Sequence, residues 1–170
     1  MQNNLIPDTM ISDKYLFFWD SVFSQWYPCT FKEENIVFSS AEQYMMFHKA
    51  MLFNDKATAN KILETQNPRE QKALGRTVKN FSEEAWGYLR LHIVVNGNIL
   101  KFSQNEDLLQ YLNAFDKEFV EASPEDPIWG IGMYYTDPRC LNKEEWQGLN
   151  LLGKALNQAK IYINNSKGNI

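Results

Sequence analysis

The sequence is short of the residues that build metal centres and disulfide frameworks. Its 170 residues contain two cysteines, Cys29 and Cys140, and two histidines, His48 and His92. There is no C-x-x-C pair and no histidine at ligand spacing from either thiol, so no metal and no disulfide scaffold are expected. No stretch approaches the ~18 consecutive apolar residues of a membrane span. The opening residues lack the basic region and apolar run of a secretory signal, and a cytoplasmic protein with reduced thiols is expected. Positive charge is also in deficit: 17 Lys plus Arg stand against 21 Asp plus Glu. A net charge of −4 excludes broad electrostatic attraction to nucleic acid, although it leaves room for a local basic cleft. Gly148 and Gly153 form neither a dinucleotide-binding fingerprint nor a P-loop.

What the sequence does have is apolar and aromatic mass. Apolar residues make up 44% of the chain, enough for one substantial core, and eleven Phe, eight Tyr and five Trp make up 14%. Such rings fill cores, and they also stack on flat heterocycles. Lys14 to Trp19 and Asn35 to Phe38 read as strands, with a loop from Asp20 to Glu34 between them. Ser39-Ser40-Ala41-Glu42 is a capping-box pattern opening a helix to Asn54. Asp55, Asn67-Pro68, Ser82 and Asn105 cap further helices, the one after Ser82 carrying Trp86, Leu89, Ile93 and Leu100 at helical spacing. Lys117 to Glu121 reads as a strand leading into a loop from Ser123 to Asp137. A second capping box, Asn142 to Glu145, opens a C-terminal helix with Leu149, Leu152, Leu156, Ala159 and Ile163 on its core face. The expectation is a helix-dominated α+β single domain over residues 12–163, with an N-terminal extension at 1–11 and a polar, frayed tail at 164–170.

Two segments carry chemistry. In the helix from Ala41 to Phe53, apolar groups occupy every face, so its few polar side chains need partners. Glu42 and Lys49 stand two turns apart, ~10 Å along one face. That is too far for an ordinary surface ion pair, and their long side chains could converge on a ligand. A lysine in an apolar cleft loses its proton more readily, and the neutral amine attacks carbonyl-like carbon. Lys49 is equally explained as a lysine lying along apolar surface with its ammonium in water, and His48 as a hydrogen-bonded core residue. In the second segment, Glu121 to Gly132, a carboxylate-ended strand meets a proline-fixed turn and then Trp129 with two flexible glycines, Gly130 and Gly132. Asp126 could orient a sugar hydroxyl or stabilise charge on the sugar while Trp129 stacks on a base. Asp126 could instead satisfy turn amides ahead of a core tryptophan.

Several separated blocks resemble the NADAR (YbiA-like) family: Phe38-Ser39-Ser40-Ala41-Glu42-Gln43-Tyr44 with Lys49-Ala50, Leu74-Gly75-Arg76, Trp86, Lys101-Phe102, Leu108, Glu121-Ala122-Ser123-Pro124, Asp126 to Gly132, Trp146 to Gly148, Asn150 and Leu152-Gly153. They run in order through residues 14–160. The resemblance implies a helix-rich α+β fold and a cofactor-independent N-glycosidase. Its substrate would be ADP-ribose attached to guanine in nucleic acid or a ribosylamino-pyrimidine phosphate of riboflavin synthesis. A non-catalytic module that binds ADP-ribose is the alternative of another class. The resemblance makes Lys49 a candidate Schiff-base nucleophile, Glu42 a proton carrier and Asp126 a third catalytic group. Ser24, Trp26, Gln43, Arg76, Glu121, Ser123, Trp129 and Gly130 become substrate-binding candidates, with Arg76 taking a phosphate and Trp19 or Trp26 helping to wall the site. The partner implied is the ribosylated base or nucleic acid, with no membrane and no stable protein partner. The chain departs from the family at Ser24-Gln25-Trp26, where many members have Ser-Asn-Phe, and at Glu42-Gln43, where many have Glu-His. Gln43 removes a histidine that could carry a proton.

Overall fold

The structure, a computed structural model, describes residues 6–167, without the side chain of the last. Along the chain run strands β1 (Thr9–Ile11), β2 (Tyr15–Phe18), β3 (Phe31–Glu33) and β4 (Ile36–Phe38), then helices α1 (Ala41–Leu52), α2 (Lys56–Glu64), α3 (Pro68–Gly75), α4 (Glu83–Ser103) and α5 (Glu106–Asn113). Strand β5 (Glu118–Glu121), two 3-10 turns (Pro138–Leu141 and Lys143–Glu145) and helix α6 (Leu151–Lys167) complete it. This is the helix-dominated α+β class expected. Contacts cluster in two compact units: Gln25–Asn105, and the chain before Gln25 together with the chain from Glu106 onward.

In the Gln25–Asn105 unit, α1 packs against α2, α3 and α4. Close approach is bought with glycine. A Cβ on Gly75 would overlap the Met46 side chain, and one on Gly97 would stand 2.6 Å from the Tyr44 ring. Three helix starts have the cap their sequence promised, Asp55 accepting from the Thr58 N–H, Asn67 from Arg69 and Ser82 from Ala85, and α1 is capped by Ser40, which accepts from the Gln43 N–H. Asn105 differs from expectation. Its amide donates to the Lys101 carbonyl at 2.8 Å and so closes the end of α4. The loop expected over residues 20–34 contains β3, which forms a hairpin with β4 (Phe31↔Phe38). Its other edge is completed by Gln104, whose side chain accepts from Lys32 N–H and donates to Lys32 C=O. The buried face of α4 runs through Trp86, Val94, Gly97, Asn98, Lys101 and Phe102, while Leu89 is exposed.

The other unit is built on a three-stranded sheet, order β1-β2-β5, with β1 antiparallel and β5 parallel to β2. All four residues of β2 are buried, so both sheet faces are covered. Tyr15, Phe17, Val120 and Ala122 pack with Ile131, Met133 and Cys140 on one face. On the other, Phe23 bridges Phe18 and Phe119 at 5.6 and 4.9 Å between ring centres. Strand β1 lies inside the stretch read as an extension, and residues 1–5 fall outside the described residues. The C-terminal helix starts later than expected. Asn142 and Glu145 do pair, but around a single 3-10 turn, and α6 begins after Asn150, which sits at φ +50°. Leu149 is therefore exposed, whereas Leu152, Leu156, Ala159 and Ile163 are buried as expected. Asn150 substitutes for a missing sheet neighbour: its side chain accepts from Glu121 N–H at 3.0 Å and donates to Phe119 C=O at 3.0 Å. A Cβ on Gly153 would collide with that same Phe119 carbonyl, which is why the helix can start so close to β5. Asn164 to Lys167, expected in a frayed tail, belong to α6, and the rest of that tail lies outside the described residues.

Candidate active site

The polar side chains of α1 sort themselves by what answers them. The capping box runs between Ser40 and Gln43, one residue later than the Glu42 arm expected. The Gln43 amide accepts from the Ser39 N–H at 2.7 Å and donates to the carbonyls of Ile62 and Thr65, both at 2.9 Å. Gln43 therefore ties α1 to the end of α2. His48 and Tyr44 share the Glu33 carboxylate, each at 2.8 Å. This is the hydrogen-bonded role weighed for His48, on a half-buried rather than a core side chain.

Glu42 is left at the buried start of the helix, 3% exposed. Its own N–H, one of the donors that a helix start cannot satisfy internally, goes to the Gln25 carbonyl at 2.9 Å. The Gln25 side chain donates to the Ala41 carbonyl and accepts from Asn98 Nδ2 at 3.0 Å. Gln25 and Asn98 thus fix the turn that carries Glu42. Spacing alone could not join them, because the pairing links positions 73 residues apart.

Lys49 lies in the last turn of α1, half-buried. Its ammonium stands 4.4 Å from the centre of the Phe81 ring and 5.6 Å from that of Trp86. Burial holds its pKa below the ordinary lysine value. The charges of Glu83 and Glu42 pull it back up, and that of Arg76 pushes it down. Lys49, Glu42 and Arg76 therefore share one electrostatic neighbourhood, to which the structure adds Glu83, Phe81 and Trp86. Periodicity could only read Trp86 as core. Arg76 closes α3, its N–H bonded to the Lys72 and Ala73 carbonyls and its side chain exposed. Trp26 is partly exposed, with Lys72 Nζ 5.9 Å from its ring centre.

The remaining candidates lie in the other unit. Asp126 Oδ1 accepts from the Ile128 and Trp129 N–H groups at 3.0 and 2.9 Å, the turn-forming role weighed for it. That bond fixes the backbone of half-buried Trp129. Gly130 is required by packing, since a Cβ there would stand 2.8 Å from Ser123 Cβ and 2.9 Å from the Glu121 carbonyl. Ser123 is buried, Glu121 is half-buried at the end of β5, and Ser24 is buried with its N–H on the Ser21 carbonyl. Trp19 meets Tyr134 edge to face at 5.3 Å. No described helix is long and apolar enough to cross a membrane, and the described residues contain no cluster of three metal-binding side chains.

Residues 17–164 match the NADAR domain. The chain belongs to the NADAR domain family. That single match runs through both compact units. An N-glycosidase of Acanthamoeba polyphaga mimivirus is 45% identical over 161 residues, covering 86% of this chain and 95% of that protein. A riboflavin biosynthesis protein of Vibrio vulnificus is 27% identical over 110 residues, covering 64% of this chain and 29% of its own length. The NMR structure of the Escherichia coli protein YbiA superimposes with a TM-score of 0.73 at 19% identity, covering 95% of this chain and 91% of that one, and so shares its fold. Family membership and likeness to a named N-glycosidase along nearly its whole length make this NADAR protein an N-glycosidase by activity class.

Proposed function

We propose that this N-glycosidase removes ADP-ribose from guanine in nucleic acid, with Lys49 as the nucleophile. One observation carries the mechanism: an amine on a buried helix, kept over two aromatic rings, with its pKa lowered by burial and a buried glutamate acting on it. Neutral Lys49 attacks C1′ while the bond from C1′ to the base nitrogen breaks, and the base leaves with a proton delivered through Glu42. Opening of the C1′–O4′ bond gives an imine on Nζ. Water then hydrolyses it, releasing the ribosyl group and restoring the amine. Arg76 binds phosphate. Asp126 and Trp129 are assigned to a sugar hydroxyl and the base on the family resemblance, as are Ser24, Glu121, Ser123 and Gly130 to substrate binding. The two unbridged cysteines suit a cytoplasmic setting.

A second reading, hydrolysis of a ribosylamino-pyrimidine phosphate, is favoured by the likeness to a riboflavin biosynthesis protein. Side-by-side turnover of an ADP-ribosylated guanine oligonucleotide and that phosphate decides between them. Borohydride added during turnover should leave the sugar on Lys49, detected by peptide mass. A Lys49→Ala protein with full activity would remove the mechanism on either substrate.

A further inference from the structure

Three cations line one edge of α3. Taking 100° per residue, Arg69, Lys72 and Arg76 fall within about 60° of arc and span ~10 Å along the axis. Gln71 and Gly75, on the adjoining face, are buried. Of the acids nearby, Glu70 accepts from the Thr65 hydroxyl at 2.5 Å and Glu83 pairs with Arg90 at 3.3 Å. Two aromatic rings accompany the stripe, Trp26 beside Lys72 and Phe81 beneath Lys49, and they are 36% and 42% exposed. In a chain of net charge −4, this concentration of cations and open rings beside the proposed nucleophile is local.

We infer that the Arg69–Lys72–Arg76 edge of α3, with Trp26 and Phe81, binds the single-stranded nucleic acid that flanks the modified base. Cations at helical spacing meet successive phosphates, and exposed rings receive unstacked bases without reading their sequence. A duplex, which demands a broader positive surface, is disfavoured by the acidity of the rest of the chain. The inference rests on the reading that the substrate is ADP-ribosylated guanine, and it adds that the substrate is recognised as part of a strand.

About three neutralised phosphates on a single strand give a slope of about −2 in log affinity against log salt, a loss of about 20-fold between 50 and 200 mM. Anisotropy of a labelled, unmodified single-stranded oligonucleotide with the full chain should show that slope. In Arg69→Glu/Lys72→Glu the loss should shrink to about threefold, because only Arg76 remains. Arg69→Gln/Lys72→Gln gives a milder control, and both variants are checked by thermal melting. The ratio of kcat/KM on an ADP-ribosylated oligonucleotide to that on the ADP-ribosylated mononucleotide should fall about 10-fold in the charge-reversed protein. An unchanged ratio, together with a salt slope equal to the native one, overturns the strand surface. If neither substrate is hydrolysed, the proposed activity fails, and the anisotropy series still decides the surface.

Discussion

Lys101 offers a quantitative test of how dry this interior is. It is fully buried on α4, with its ammonium 5.0 and 5.6 Å from the ring centres of Phe102 and Tyr27. Burial drags its pKa from 10.5 to about 8, with the charge of Cys29 acting in the opposite sense. Between those two values the unfolded chain holds a proton that the folded one does not, so stability rises with pH through that window. Below pH 8 both states are protonated and the full cost of a buried ammonium is present. At about 1.4 kcal/mol per pKa unit, titration of this one group contributes a gain of about 2 kcal/mol between pH 7 and 9.5. Cys29 works against it, because burial raises its thiol and stability then falls as pH climbs past the ordinary thiol range. The comparison is therefore made in a Cys29→Ser background, with and without Lys101→Met. Urea unfolding followed by tryptophan fluorescence at pH 7, 8 and 9.5 should show the lysine protein gaining about 2 kcal/mol on the methionine protein. A difference that stays constant with pH would mean that the ammonium is hydrated in the folded state, and the reasoning would fail.

Two other outcomes follow from the geometry. The rate of glycosidic cleavage should rise with pH through the lowered pKa of Lys49; Glu83→Gln should move that limb to lower pH and Arg76→Gln to higher pH, because each removes a charge acting on the amine, and a pH–rate profile reads both shifts. Asn150→Ala strands the Glu121 N–H and the Phe119 carbonyl against β5, and should cost about 2–4 kcal/mol in denaturant unfolding.

Local chemistry was readable from the sequence wherever it acts within a turn. Ser40, Asp55, Asn67 and Ser82 cap helices because a side chain and an N–H two or three residues on need nothing else. The reading failed where a distant group decides. Strand β3 is three residues long and is completed by Gln104, 72 residues away. Helical spacing predicts an apolar stripe on α4 through Leu89, whereas the core face includes Asn98 and Lys101, which no hydropathy pattern places inside. The capping box at Asn142 predicts a helix from Lys143, whereas α6 begins at Leu151, since Asn150 initiates it from a left-handed conformation while bonding a strand. In the site, the spacing of Glu42 and Lys49 marked a shared neighbourhood, but the rings over Lys49 and the Gln25–Asn98 brace needed the fold.

The treatment of polar groups on α1 argues for Lys49 as the reactive one. Gln43 is answered by main-chain carbonyls, and Tyr44 and His48 by the Glu33 carboxylate. Each of those groups is locked by a partner that would have to be broken before it could react. Lys49 is treated differently. Its ammonium lies over the Phe81 and Trp86 rings, and the charges of Glu42 and Glu83 act on it. Ring faces attract an ammonium by about 1 kcal/mol, less than a close, desolvated carboxylate would. The arrangement therefore holds the side chain in place while burial favours the neutral amine that the proposed attack on carbon needs.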